Sequence, residues 1–65
     1  MIRYYVRYEA IAVFGNYAEY HIGCRSRIEA LVTAKAIIRR DKESRNIRVY
    51  KAVSETESKI IWSRR

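Results

Sequence analysis

From Ile2 to Phe14 the chain alternates. Ile2, Tyr4, Val6, Tyr8, Ala10, Ala12 and Phe14 occupy the even positions, and Arg3, Tyr5, Arg7 and Glu9 open the odd ones. An apolar residue at every second position suits a strand with one buried face, because successive side chains leave the backbone on opposite sides. After Gly15-Asn16 the pattern resumes, with Ala18, Tyr20, Ile22 and Cys24 alternating with Glu19 and His21. Glycine and asparagine both accept the left-handed backbone of tight turns. The two segments therefore predict a β-hairpin with strands over 2–14 and 17–24.

The faces constrain its register. A two-residue turn at 15 and 16 sets Ala12 against Glu19 and Ala10 against His21, which mixes apolar with polar. A three-residue loop, Gly15-Asn16-Tyr17, sets Phe14 against Ala18, Ala12 against Tyr20 and Ala10 against Ile22. Even then faces even. Since a slip of one residue inverts a face, the three-residue loop with a bulge is expected.

Ser26-Arg27-Ile28-Glu29 has the spacing of a capping box, in which a serine hydroxyl and a glutamate carboxylate satisfy the first free N–H groups of a helix. A helix is predicted from there to about Glu43, with Leu31, Ala34 and Ile38 on one stripe widened by Ala30 and Ile37. Ile28 and Val32 fall off that stripe. Asn46–Ser54 reads as a third strand, with Ile47, Val49 and Val53 alternating with Arg48, Tyr50 and Ala52. A polar turn at 54–58 precedes a short fourth strand over Lys59–Ser63, carrying Ile60, Ile61 and Trp62. The expected fold is α+β: a small antiparallel β-sheet in the order β-β-α-β-β with one α-helix packed on one face. No linker, repeat or low-complexity tract interrupts residues 1–65, so one domain is expected.

The order of Tyr4, Tyr8, Gly23-Cys24 and Glu29-Ala30 resembles the start of the partial RNase-H-like domain of HicB-type antitoxins. In that family a third strand precedes the helix. Here the helix follows Cys24 directly, and no function is carried across.

A single helix covers only one face of a sheet, so the other face meets solvent or a partner. On that face the alternation places Arg3, Tyr5, Arg7, Glu9, Ile11 and Val13, with Glu19 and His21 beside them and Arg48 and Tyr50 from the third strand. The chain carries 14 Lys/Arg against seven Asp/Glu, a net charge of +7, which favours polyanions as partners. Tyrosines can stack on bases while arginines hold phosphates, which makes Arg3, Tyr5, Arg7, Arg48 and Tyr50 candidate nucleic-acid contacts. Tyrosine and arginine are also common on plain solvent-facing strands. Arg39, Arg40 and Arg45 form a second basic group at the helix end. It can hold phosphates, or it can be a solvated terminus with Arg39–Glu43 and Asp41–Arg45 pairs.

Ile11 and Val13 do not suit a nucleic-acid platform and mark an oligomer or protein contact instead. A chain of 65 residues has a thin core and usually gains support from a disulfide, a metal or a partner subunit. With one cysteine and one histidine, self-association is the support expected, as a homo-oligomer.

Catalysis has little to stand on. His21 has no evident acid or nucleophile beside it, Cys24 continues an apolar alternation, and Glu55 and Glu57 share a turn. Only two glycines are present, too few for a phosphate-binding loop. No cofactor or metal is expected. No apolar run approaches the roughly 20 residues of a membrane span, and Met1–Tyr5 has no signal-peptide core, so a cytoplasmic setting is expected.

The expected function is that of a small non-enzymatic binding protein, nucleic-acid-binding or regulatory, acting through the basic and aromatic sheet face. Two alternatives stand beside it. One is a phage- or plasmid-type inhibitor that binds an acidic surface of a host protein. The other is a nucleotide-sequestering homo-oligomer.

Overall fold

The computed structural model describes residues 2–64. Four strands and one helix follow in the expected order: β1 (Tyr4–Ile11), β2 (Tyr17–Cys24), α1 (Arg27–Arg40), β3 (Arg45–Ala52) and β4 (Ser58–Ser63). The strands form one antiparallel sheet in the spatial order β2-β1-β3-β4. This is the α+β architecture predicted from the alternation and the single capped helix. Its core lies between α1 and one sheet face, where Val6, Cys24, Ile47 and Val49 meet Ala30, Ala34 and Ile37.

The hairpin register differs from expectation by four residues, because the loop sits two residues earlier in the chain. The observed pairs are Ala10 with Ala18, Tyr8 with Tyr20 and Val6 with Ile22. Even still faces even, and the loop still has three residues, but they are Val13-Phe14-Gly15. The Ala12 N–H donates to the Asn16 carbonyl at 2.8 Å and the Gly15 N–H to the Ala12 carbonyl at 3.0 Å. Gly15 adopts a φ of +81°, the left-handed conformation favoured at the last position of such a loop. The conformational freedom of Gly15 therefore places it at the end of the loop, and Ala12 and Phe14 leave the strand.

α1 begins as the capping pattern predicts. The Ser26 hydroxyl accepts from the Glu29 N–H at 3.1 Å, and the Glu29 carboxylate accepts from the Arg25 N–H at 3.2 Å. The helix ends at Arg40, three residues short of Glu43, because Asp41 offers its neighbours other bonds. Its backbone is extended, its carboxylate accepts from the Glu43 N–H, and its carbonyl accepts from both the Ser44 N–H and the Ser44 hydroxyl.

Two bulges adjust the sheet. Between Arg7 and Glu9 of β1 the pairing with β3 slips, and Asn46 there takes a φ of +53°. This turns Arg45 onto the open face beside Glu9 while Ile47 stays in the core. A second slip, between Val49 and Tyr50, lets both Ile61 and Trp62 of β4 pack against the core.

Candidate functional site

The face opposite α1 is built from alternate residues of three strands. Strand pairing sets Tyr5 beside Tyr50, Arg7 between His21 and Arg48, and Glu9 between Glu19 and Arg45. The aromatic rings form a row. Tyr5 and Tyr50 stack with centroids 5.0 Å apart, and His21 lies against Tyr5 at 6.3 Å, each pair 9° from parallel. The guanidiniums of Arg7 and Arg48 stand 5.8 and 5.6 Å from the Tyr50 ring centre. Tyr50 is 8% exposed, so this row covers the second face of the sheet with its own side chains. The Tyr5 hydroxyl reaches the Ser58 hydroxyl at 2.8 Å, tying the row to β4.

Charges on this face are partly paired. Arg7 bonds Glu19, and His21 Nε2 lies 3.2 Å from the same carboxylate. Arg45 Nε donates to Glu9 at 2.7 Å, and the Asn46 amide donates to the other Glu9 oxygen at 3.1 Å. The hydrogen bond from Arg7 holds the Glu19 carboxyl below its ordinary value, and those from Arg45 and Asn46 do the same for Glu9. Arg7 in turn is raised by its hydrogen bond to Glu19. Arg48 differs from both arginines: among the described residues it pairs with no carboxylate, and besides the Tyr50 ring it donates to the Asn46 carbonyl at 3.4 Å.

Five of the predicted contacts divide in place. Tyr5, Arg7, Arg48 and Tyr50 come together in one cluster. Arg3 precedes β1 and lines a cleft of about 710 Å³ at the far end of the sheet, with Ile2, Lys51, Val53, Ser54 and Glu55. Arg39 and Arg40 are exposed in the last turn of α1. The expected pairs Arg39–Glu43 and Asp41–Arg45 do not form among the described residues, because the helix stops at Arg40 and the β3 bulge gives Arg45 to Glu9. Instead the Arg45 guanidinium sits 3.5 Å from the Tyr17 ring centre, and the Tyr17 hydroxyl donates to the Glu43 carbonyl at 3.1 Å.

Ile11 lies at the end of β1, and Val13 lies in the loop rather than on the sheet face. His21, placed on this face by the alternation but not named as a contact, joins the aromatic row through diagonal neighbourhood with Tyr5. Phe14, assigned to the covered face, is 91% exposed at the loop tip beside Val13 at 94%. The αL requirement of a three-residue loop, applied to Gly15, would have located Phe14 there.

Among the described residues no group of His, Cys, Asp and Glu is arranged to hold a metal ion, and no helix is long and apolar enough to cross a membrane. No protein-family model, no curated protein and no solved structure matches the chain.

Proposed function

We propose that this protein is a non-enzymatic binding protein for single-stranded nucleic acid, with the open sheet face and the basic helix end as its contact surface. One observation carries the reading: most of the positive charge is uncompensated. Among the described residues only Arg7 and Arg45 of the Lys/Arg side chains pair with a carboxylate. Arg3, Arg39, Arg40, Lys42 and Arg48 do not, and a flexible polyanion can reach several of them at once. The Arg7–Tyr50–Arg48 cluster is stiffened by ring stacking, so its guanidiniums are held rather than recruited on binding.

Fluorescence anisotropy with a labelled single-stranded oligonucleotide tests this across a salt titration. About four phosphate contacts give a log–log slope near −3. Arg48→Ala should make the slope shallower by somewhat less than one unit, in line with one lost contact. Binding that is absent at low salt, or insensitive to salt, would sink the proposal.

A second reading has its own support. Ile28 and Val32 stand one turn apart on the outer side of α1 at 75% and 61% exposure, and Val13 and Phe14 protrude at the hairpin tip. Exposed aliphatics of this kind suit a protein partner, either an acidic one or a second copy of the chain. Sedimentation velocity at micromolar concentration separates the second copy from the rest: a monomer excludes the homo-oligomer.

A further inference from the structure

Eight aromatic side chains are present, and seven of them are engaged within the fold. Tyr5 and Tyr50 stack on one another, Tyr8 stacks on Tyr20, Tyr17 lies under Arg45, and Tyr4 and Trp62 pack against the core. After Phe14, the most exposed are Tyr17 and Tyr20 at 39% each. Phe14 alone keeps its ring faces open, at the tip of the β1–β2 hairpin.

The tip is preformed. The loop is closed by its own backbone bonds and by the left-handed Gly15, and nothing lies within 4 Å of where a Gly15 side chain would begin. It also stands at the end of the molecule where α1 finishes. α1 runs back from its cap toward the hairpin, so Arg39, Arg40 and the turn holding Lys42 finish at that end. The hydrogen bond from Tyr17 to Glu43 joins that turn to the base of the hairpin. The fold therefore brings an exposed aromatic and a set of cations to the same end of the molecule, although they lie some 25 residues apart in the chain.

We infer that Phe14 is the base-stacking residue of this protein, seated on an unpaired base while Arg39, Arg40 and Lys42 hold the adjoining phosphates. The inference rests on the nucleic-acid reading above and relocates its stacking contact. The tyrosines of the sheet face are already engaged with each other, so the face contributes charge and the tip contributes the ring. The chain's net charge of +7 selects a polyanionic occupant over a second copy, which would carry the same net charge.

The test compares wild type, Phe14→Ala and Phe14→Leu by anisotropy at one salt concentration. The probes are a short single-stranded DNA and the same strand with abasic sites. Because Phe14 touches little of the fold, circular dichroism should show all three proteins equally folded. Phe14→Ala should bind the intact strand about five- to a hundredfold more weakly, with an unchanged salt slope. Phe14→Leu should not recover the loss, and the abasic strand should erase the difference between wild type and variants.

If wild type binds and Phe14→Ala binds equally well, the stacking role is overturned while the polyanion reading survives. Full recovery by Phe14→Leu also overturns it, because an aliphatic contact would then suffice. It is likewise overturned if Phe14→Ala leaves DNA binding intact but abolishes co-sedimentation with phosphatidylglycerol vesicles. If wild type binds no oligonucleotide at low salt, the nucleic-acid reading fails and the inference falls with it.

Discussion

Tyr5 and Tyr50 stack across β1 and β3 with ring centres 5.0 Å apart, and this pair is what shields the sheet face that α1 does not reach. The arrangement follows from pairing: the two residues are direct cross-strand partners, and aromatic pairs at that spacing gain about 0.5–1.5 kcal/mol beyond the area they bury. Truncation should therefore resemble a core mutation. Tyr50→Ala should cost about 3–5 kcal/mol, as for other buried aromatics, while Tyr50→Phe keeps the stack and should stay within about 1 kcal/mol of wild type. Urea denaturation followed by far-UV circular dichroism measures both. Equal stability of the two variants would mean that the ring stack contributes nothing.

Gly15 should tolerate substitution poorly despite the empty space around it. Its φ of +81° is strained for any residue with a Cβ, and no neighbour lies within 4 Å to complicate the result. Gly15→Ala should lose about 1 kcal/mol through the backbone alone. Gly15→Asn should lose less, because asparagine tolerates this region better than alanine does. A neutral Gly15→Ala in thermal melts would contradict the three-residue loop geometry.

Removing the helix cap isolates one hydrogen bond. Ser26→Ala leaves the Glu29 N–H without its acceptor and should destabilise by about 1 kcal/mol, whereas Ser26→Asp should match wild type. Amide hydrogen exchange should show the loss first as faster opening of the first turn of α1. Unchanged exchange there in Ser26→Ala would show that the cap does not hold the turn.

Acid should weaken the fold through Glu19 and Glu9. The hydrogen bonds from Arg7 to Glu19, and from Arg45 and Asn46 to Glu9, keep both carboxyls below the ordinary value of 4.5. A carboxyl whose folded value is depressed contributes stability that is fully present above the unfolded value and is lost as pH falls through the folded one. Melting temperature should therefore drop as pH is lowered from about 5 toward about 3. Glu19→Gln should start lower at neutral pH and fall less over that interval. Parallel pH profiles for wild type and Glu19→Gln would show that the Arg7–Glu19 contact does not contribute.

The parts of this fold legible from sequence are those governed by local periodicity. Alternation located β1, β2 and β3 and assigned Tyr5, Arg7, His21, Arg48 and Tyr50 to the open face, because strand parity follows from the pleat alone. The Ser26–Glu29 spacing located the start of α1, because capping is a four-residue event. The misjudged features depend on competition between segments. Asp41 ended the helix early by bonding Ser44 and Glu43. The left-handed Asn46 and its bulge then sent Arg45 to Glu9 and Tyr17 rather than to Asp41.

Phe14 marks the boundary between the two kinds of information. From sequence alone it belongs to an apolar alternation, and the chain determines that a strand, a turn near Gly15 and a second strand follow one another. Where the turn closes is decided by tertiary structure. Pairing Val6 with Ile22 and Tyr8 with Tyr20 accompanies burial of Val6 under α1, and Gly15 completes the loop in the one conformation it accepts at least cost. That choice leaves Val13 and Phe14 in solvent, at the end of the fold where the helix finishes in Arg39 and Arg40. The run of charge and the aromatic residue are each visible in the chain, but only the folded sheet brings them to one end of the molecule.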